Sequence, residues 1–546
     1  MVFRLLSLLR TGFAVIAADF TANLKDFFAR QQPTVWFLSI VIGAVVGLAA
    51  ILFRLCIGLV QMPWLGTSSE AIHSAAAAAP FYVILLAPTV GGLIVGILLQ
   101  TVQPMRRTSS VADVMEARAR GGRGLSLWRG LSSAGITALS LGSGASAGRE
   151  GPVVHLGATL SAAVCEFFRL PENARKVLLA CGVASAVSAS FNAPIAGALF
   201  AHEVVLGHYA LSAIVPIVIS SVVGSIISRL WFGDVAAFII PDHQVTSYWE
   251  FPAFALLGLT CALVAILFQI ALIGSDWISR NIPMPLWLRP VIGGFAVGLI
   301  ALAFPHVLGV GYEATDMALQ SRLTIATMLA LLVAKTAATA ITLASRFGGG
   351  IFSPSLYLGA MTGGAYGLIA ASVFPQLASS EGLYAILGMG AVAASMLGAP
   401  VSTVMIVFEL TGGYALSIAL LLTVFISVGI TQAVQARSYF HWQLESRGII
   451  LQEGAHRWLV KRVHVADFMV PVEETEGEPE VLEAETAHLL STDTLEQALR
   501  RFDETGAARL PVIEPGDTRI IGHAQHVRAL RYFNKALIEA SVEEHR

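Results

Sequence analysis

Charge is almost absent from the first 450 residues of this chain and is concentrated behind them. Of 546 residues, 34 are Lys or Arg and 36 are Asp or Glu, and 29 of these charged side chains fall within residues 451–546. The first 450 residues therefore carry 41, or 9%, against about 25% in an ordinary soluble domain. So long an apolar stretch cannot hide its surface from water by folding alone. It calls for lipid, at ~20 residues per helical crossing. With 55% AVILMFWYC and a net charge of −2, the composition excludes a disordered chain, a nucleic-acid binder and a soluble enzyme. Cys56, Cys165, Cys181 and Cys261 lie singly in apolar runs, so neither a disulfide framework nor a zinc site is indicated, and no catalytic constellation is visible. The charge step marks a boundary between a membrane body and a soluble tail. Residues 1–33, punctuated by Arg4, Arg10, Asp19, Lys25, Asp26 and Arg30, read as an amphipathic segment at the cytoplasmic interface rather than a signal peptide.

The body repeats itself. Pro152-Val153-Val154-His155-Leu156-Gly157-Ala158 and Pro354-Ser355-Leu356-Tyr357-Leu358-Gly359-Ala360 share the pattern Pro-x-x-x-Leu-Gly-Ala at an offset of 202 residues. Gly182, Ala193-Pro194 and Glu203 recur as Gly388, Ala399-Pro400 and Glu409 at an offset of 206. Two homologous halves, 34–233 and 250–448, follow. Several apolar segments are shorter than a full crossing and are interrupted by Gly-Pro, Gly-Gly or Ala-Pro. Broken helices survive at membrane depth only where protein or a water-filled path surrounds them. Paired broken helices in inverted halves put a transport site near the midplane.

The breaks suggest what that site takes. Gly142-Ser143-Gly144 through Gly148-Arg149-Glu150-Gly151-Pro152 leads into a helix start, and Gly348-Gly349-Gly350-Ile351-Phe352 does the same before Pro354. Each presents free backbone N–H groups and the positive end of a helix dipole, which suits an anion without a Lys or Arg to trap it. Glycine before a helix is by itself most often a turn, and Glu150 at a helix start most often a favourable end charge. An ionisable group in so apolar a region, at a glycine-rich helix start that the repeat doubles, tips Glu150 towards function. Glu203, Glu409, His155 and His202 each read more readily as satisfied buried polar groups.

At these residues the chain resembles the CLC chloride channels and chloride/proton exchangers. Gly148-Arg149-Glu150-Gly151-Pro152 matches the family's GREGP signature, Gly350-Ile351-Phe352-Ser353-Pro354 its GxFxP motif, and Phe191-Asn192-Ala193-Pro194 with Glu203 a third stretch. The resemblance covers 34–448. It implies an all-α polytopic membrane protein of two inverted repeats of tilted, broken helices, working as a homodimer with one pore per subunit. It implies Glu150 as the gating glutamate, with Gly148, Arg149, Gly151, Gly350, Ile351 and Phe352 around the anion and the Ile351 and Phe352 N–H groups holding it. Three positions depart from the pattern. The stretch that resembles the GSGIP motif is Thr108-Ser109-Ser110-Val111-Ala112, so Ser109 is the anion-binding serine, with Ser110 as the alternative. Phe440 falls at the family's pore tyrosine, with Tyr439 one place before. Where exchangers carry two acids in sequence, this chain has Glu203 and then Val204, so the internal proton position is apolar, as in the family's channels.

Residues 463–537, after a linker at 449–462, resemble a single CBS motif in a small α/β tail of helix, strand, strand, helix. Arg528 stands where the nucleotide-contacting Asp is expected, so no nucleotide or other cofactor is implied. Residues 472–485 read as an acidic loop. The expectation is a bacterial plasma-membrane protein with both termini cytoplasmic. It is a passive, glutamate-gated chloride channel in preference to a proton-coupled exchanger. Fluoride selectivity and a non-transporting sensor are further alternatives.

Overall fold

A computed structural model describes residues 20–21, 25, 28, 32–233, 238, 245–411, 416–449, 463–472 and 487–534. Most of the 1–33 segment, the 449–462 linker and the acidic 472–485 loop lie outside the described residues. The chain divides into two compact units, residues 1–207 with 213–448, and residues 449–546 with 208–212.

The larger unit is helical. Its first half contains α1 (Gln32–Leu65), α2 (Ile72–Ala78), α3 (Phe81–Thr101), α4 (Val111–Ala119), α5 (Leu127–Gly142), α6 (Glu150–Phe167), α7 (Glu172–Phe191), α8 (Pro194–Phe200) and α9 (Leu211–Phe232). The second contains α10 (Phe251–Asn281), α11 (Leu288–Ala303), α12 (Tyr312–Leu319), α13 (Ile325–Ala344), α14 (Phe352–Val373), α15 (Glu381–Leu397), α16 (Pro400–Thr411), α17 (Ser417–Gln435) and α18 (Tyr439–Glu445). In chain order α3–α9 match α11–α17 one for one. Eight helical stretches among the described residues are long and apolar enough to cross a membrane. At 34 residues, α1 is ~50 Å long by its 1.5 Å rise, so it must tilt within a hydrocarbon core of ~30 Å. Helices α11, α15 and α16 are apolar but shorter, as the interrupted segments predict. Exposed Trp231, Tyr248, Trp249 and Trp277 sit at the ends of α9 and α10, where amphipathic rings meet the lipid headgroups.

Each repeat is closed by glycine. A Cβ on Gly157 would come within 2.4 Å of the Gly182 carbonyl oxygen, and one on Gly359 within 2.3 Å of that of Gly388. The motif glycines therefore let α6 lie backbone to backbone on α7, and α14 on α15. The halves also cap each other. The chain past α8 loosens into one π turn, Ala201–Leu206. From that turn Glu203 accepts the Val401 and Ser402 N–H groups at the start of α16, at 3.0 and 2.7 Å. Glu409, on α16, accepts those of Ile195 and Ala196 at the start of α8, again at 3.0 and 2.7 Å. The exchange satisfies donors that every helix N-terminus leaves unpaired.

The tail forms a four-stranded sheet in the order β1-β4-β3-β2, from β1 (Val470–Pro471), β2 (Leu489–Leu490), β3 (Arg509–Ile513) and β4 (Ile520–Gln525). The β2–β3 pair is parallel and the others are antiparallel. Two more helices, α19 (Val465–Phe468) and α20 (Leu495–Thr505), pack Phe468 and Phe502 into its core. Residues 526–534 are helical again. The expected helix, strand, strand, helix is thus present as α20, β3, β4 and 526–534. Strands β1 and β2, two residues each, are too short to leave an alternating pattern in sequence.

Candidate functional site

The two glycine-rich approaches meet. Gly148 N–H donates to the Gly350 carbonyl at 2.7 Å, and Gly350 N–H returns a bond to Gly148 at 2.8 Å. This bridge joins residues 202 apart, the repeat offset, so equivalent points of the halves face each other. From it α6 and α14 depart. Their first-turn N–H groups, including those of Ile351 and Phe352, have no intrahelical acceptor. Phe352 is anchored by rings from the end of α7 and from α8, Phe191 at 4.9 Å and Phe200 at 6.1 Å.

Glu150 opens α6 and is 1% exposed. Its Oε1 accepts the Tyr312 hydroxyl at 2.6 Å. Its Oε2 is buried with no hydrogen-bond partner. That oxygen lies 2.8 Å from where a Cβ on Gly148 would stand, and the same point is 3.1 Å from the Ser353 nitrogen. A carboxylate oxygen thus sits against Gly148, and only glycine there leaves room between it and the Ser353 nitrogen. Arg149 is also buried. Its guanidinium lies 3.8 Å from Glu150 Oε1 and 5.1 Å from the Tyr312 ring centre, and it pairs with Glu70 Oε1, the oxygen that Arg54 also holds at 2.9 Å. Arg149 therefore places its charge beside Glu150 while paired with Glu70.

A vestibule of about 330 Å³ leads away from the bridge. It gathers Ser109, Ser110, Gly151, Gly350, Ile351, Tyr439 and Phe440 of the sequence candidates. Ser109 and Ser110 differ in employment. Ser110 caps α4, its Oγ and N–H both engaged with Asp113 at 3.2 and 2.7 Å, whereas Ser109 uses only its N–H, on Ser133 at 2.8 Å. Phe440 and Tyr439 both line the cavity, so the one-residue alternative in sequence is no alternative in space. The walls carry Arg107, Arg280, Arg346 and Arg447 with Asp276. Asp113 bridges Arg107 at 2.6 Å and Arg447 at 2.9 Å. Burial alone would push its carboxyl up, but the bonds and charge of Arg107 and the charge of Arg447 outweigh this and hold it well below the usual carboxylate range.

Glu203 and Val204 do not join this group of residues. Val204 is buried and apolar, and both Glu203 oxygens serve the α16 start. His155 and His202 are buried as well. Sequence reasoning missed Tyr312 and Lys335. Lys335 is 0% exposed and donates to the Val307 and Gly309 carbonyls at 3.0 and 2.9 Å. A single lysine in the otherwise uncharged α13 was the available signal.

A family model described as "Voltage gated chloride channel" matches residues 91–432. A ClcB-like protein of Ralstonia nicotianae is 34% identical over 385 residues, covering 70% of this chain and 90% of its own. The H(+)/Cl(-) exchange transporter ClcA of Cronobacter sakazakii is 30% identical over 419 residues, 74% of this chain and 88% of its own. The solved structure of a slow cyanobacterial Cl−/H+ antiporter superposes with a TM-score of 0.68 at 22% identity, over 76% of this chain and 97% of that one. With the paired glycine-rich helix starts and the inverted halves, these matches establish that the chain belongs to the voltage-gated chloride channel family, the anion-transporting CLC proteins.

Proposed function

We propose that the membrane unit carries chloride from the arginine-lined vestibule, past the Gly350–Phe352 helix start, to Glu150, and that the Glu150 carboxylate is the gate. The observation that carries this is Glu150 Oε2, buried without a hydrogen-bond partner beside Gly148. An anionic oxygen there fills a place whose surroundings suit an anion, so chloride and carboxylate compete for it. Protonating or displacing the carboxylate opens the path. Passive transport is the favoured reading, because Val204 cannot titrate and Glu203 spends both oxygens on backbone N–H groups. Proton-coupled exchange is the second reading, favoured by the names of the exchange transporter and the antiporter.

The vestibule is assigned to the cytoplasmic side. Residues 102–129, beside it, hold six arginines, and residues 233–249, at the other end of α10, hold no Lys or Arg. That is the bias expected of cytoplasmic loops. The protein works as a homodimer in a bacterial plasma membrane, with chloride as the carried ion. Purified protein in liposomes tests the gate. Glu150→Gln should keep or raise chloride efflux and flatten its pH dependence; a folded but silent variant, or one with the full pH response, reduces Glu150 to a helix-end charge. Sustained uphill proton movement under a chloride gradient would replace the passive reading with exchange.

A further inference from the structure

Helices α5 and α13 end in the same way except at one residue. In the first half Gly144 N–H returns to Leu141 and Ala145 N–H to Ser140, both at 3.1 Å, with Gly144 at φ +101°. In the second half Arg346 N–H returns to Leu343 and Phe347 N–H to Thr342, at 3.1 and 3.2 Å, with Arg346 at φ +71°. This is the left-handed helix ending that glycine normally supplies, since a Cβ is strained there. The chain thus keeps an arginine where its own other half uses glycine.

What the arginine adds is charge in the vestibule, whose wall it shares with Gly349, Gly350 and Ile351. Its nearest carboxylate does not absorb that charge. Asp276 is already paired with Arg280 at 2.7 Å, and Arg346 reaches it only at 3.8 Å. Asp113 is likewise shared by Arg107 and Arg447. The four guanidinium groups share Asp113 and Asp276 as their ion-pair partners, and Arg346 is the one of the four that stands on the loop leading into the Gly350–Phe352 helix start.

We propose that Arg346 is an electrostatic steering residue of anion transport: it stands at a glycine position and raises the local anion concentration at the vestibule end of the path. A cleft of one charge sign raises encounter rates about 10-fold or more. The effect is strong where the Debye length is ~30 Å and weak where it is ~8 Å. The proposal rests on anion transport by this unit and not on the role of Glu150.

The test is chloride efflux from liposomes at about 10 mM and about 150 mM ionic strength, the higher value set with an impermeant salt, alongside thermal unfolding in detergent. Arg346→Gly should unfold no earlier than wild type, because strain is relieved. Its efflux should fall about threefold or more at low ionic strength and approach wild type at high. Arg346→Lys, which keeps the charge, should retain most of the low-salt rate. Unchanged efflux in Arg346→Gly, or a loss equal at both ionic strengths, overturns the proposal, as does Arg346→Lys behaving like Arg346→Gly. Absence of chloride efflux in wild type would instead overturn the transport reading itself.

Discussion

Removing the Tyr312 hydroxyl should loosen the gate without disturbing its packing. Tyr312 donates to Glu150 Oε1 at 2.6 Å between two buried residues. A hydrogen bond to a charged group contributes about 1.5–3 kcal/mol. In Tyr312→Phe that bond is lost, and the Arg149 Nε, at 3.8 Å, is beyond hydrogen-bond reach of the same oxygen. The ring itself stays, with its edge contact to Phe238 at 5.3 Å and the Arg149 guanidinium over it at 5.1 Å. At about 1.4 kcal/mol per factor of ten, the balance between the seated and the displaced carboxylate moves about 10- to 100-fold. Where displacement is rare, chloride efflux from liposomes should rise by that factor until ion passage itself becomes limiting. Glu150→Ala supplies the control, because with no carboxylate to hold, adding Tyr312→Phe should change nothing. Wild-type efflux in Tyr312→Phe, beside fast efflux in Glu150→Ala, would refute the reasoning, as would an equal effect of Tyr312→Phe in both backgrounds.

The reciprocal caps make a symmetrical prediction: Glu203→Ala and Glu409→Ala should each cost about 2–4 kcal/mol and lower the unfolding temperature alike. Loss of proton movement in Glu203→Ala at unchanged stability would instead mark a proton relay. The stacked His73 and His306 rings, 3.5 Å apart, predict acid sensitivity in α2 and the Pro305–Val307 turn. Burial first, then the charge of His73, pushes the His306 imidazole down to about 4, with Glu313 opposing, and burial lowers His73 against the same Glu313. Both rings are therefore neutral when stacked, and an opened form binds more protons, so stability present above the ordinary histidine range is lost as pH falls from about 6.5 towards 4. Hydrogen-exchange protection over 72–78, corrected for the intrinsic pH dependence of amide exchange, should fall across that window and stay level in a His73→Phe, His306→Phe double variant.

The legible part of this molecule is whatever repeats or is excluded by the membrane. The 202-residue offset forecasts that Gly148 and Gly350 occupy equivalent points, and in the structure they hydrogen-bond to each other. Broken apolar runs forecast short helices with unpaired N–H groups, and α6, α14, α8 and α16 begin at the proline-marked breaks. What could not be read is any relation that crosses between segments unlike in sequence. Ser109 and Ser110 are neighbours of one type, and only the position of Asp113 and Ser133 separates the cap from its free neighbour. The same holds for Tyr439 and Phe440, which a one-residue register sets against each other and a curved wall brings together.

Tyr312 shows why the gate's own partner stayed hidden. Its place in the repeat corresponds to Val111, the first residue of α4, so the symmetry that exposes the glycines says nothing about a phenol. Its hydroxyl reaches Glu150 because the preceding turn holds a particular shape. Gly309 and Gly311 take φ of +60° and +92°, and a Cβ at 311 would stand 2.8 Å from the Tyr357 ring and 3.2 Å from Lys335 Nζ. Lys335 grips that turn by the carbonyls of Val307 and Gly309. A lysine with no carboxylate beside it is expensive in an apolar interior, and here its ammonium, over the Tyr357 ring at 5.2 Å, holds the turn that leads into Tyr312. The two halves thus share a scaffold and differ where the first supplies the carboxylate and the second supplies the group that holds it. That asymmetry is what the proposed gating role of Glu150 calls for, because a carboxylate bonded from one side by a single hydroxyl is freed by breaking one hydrogen bond.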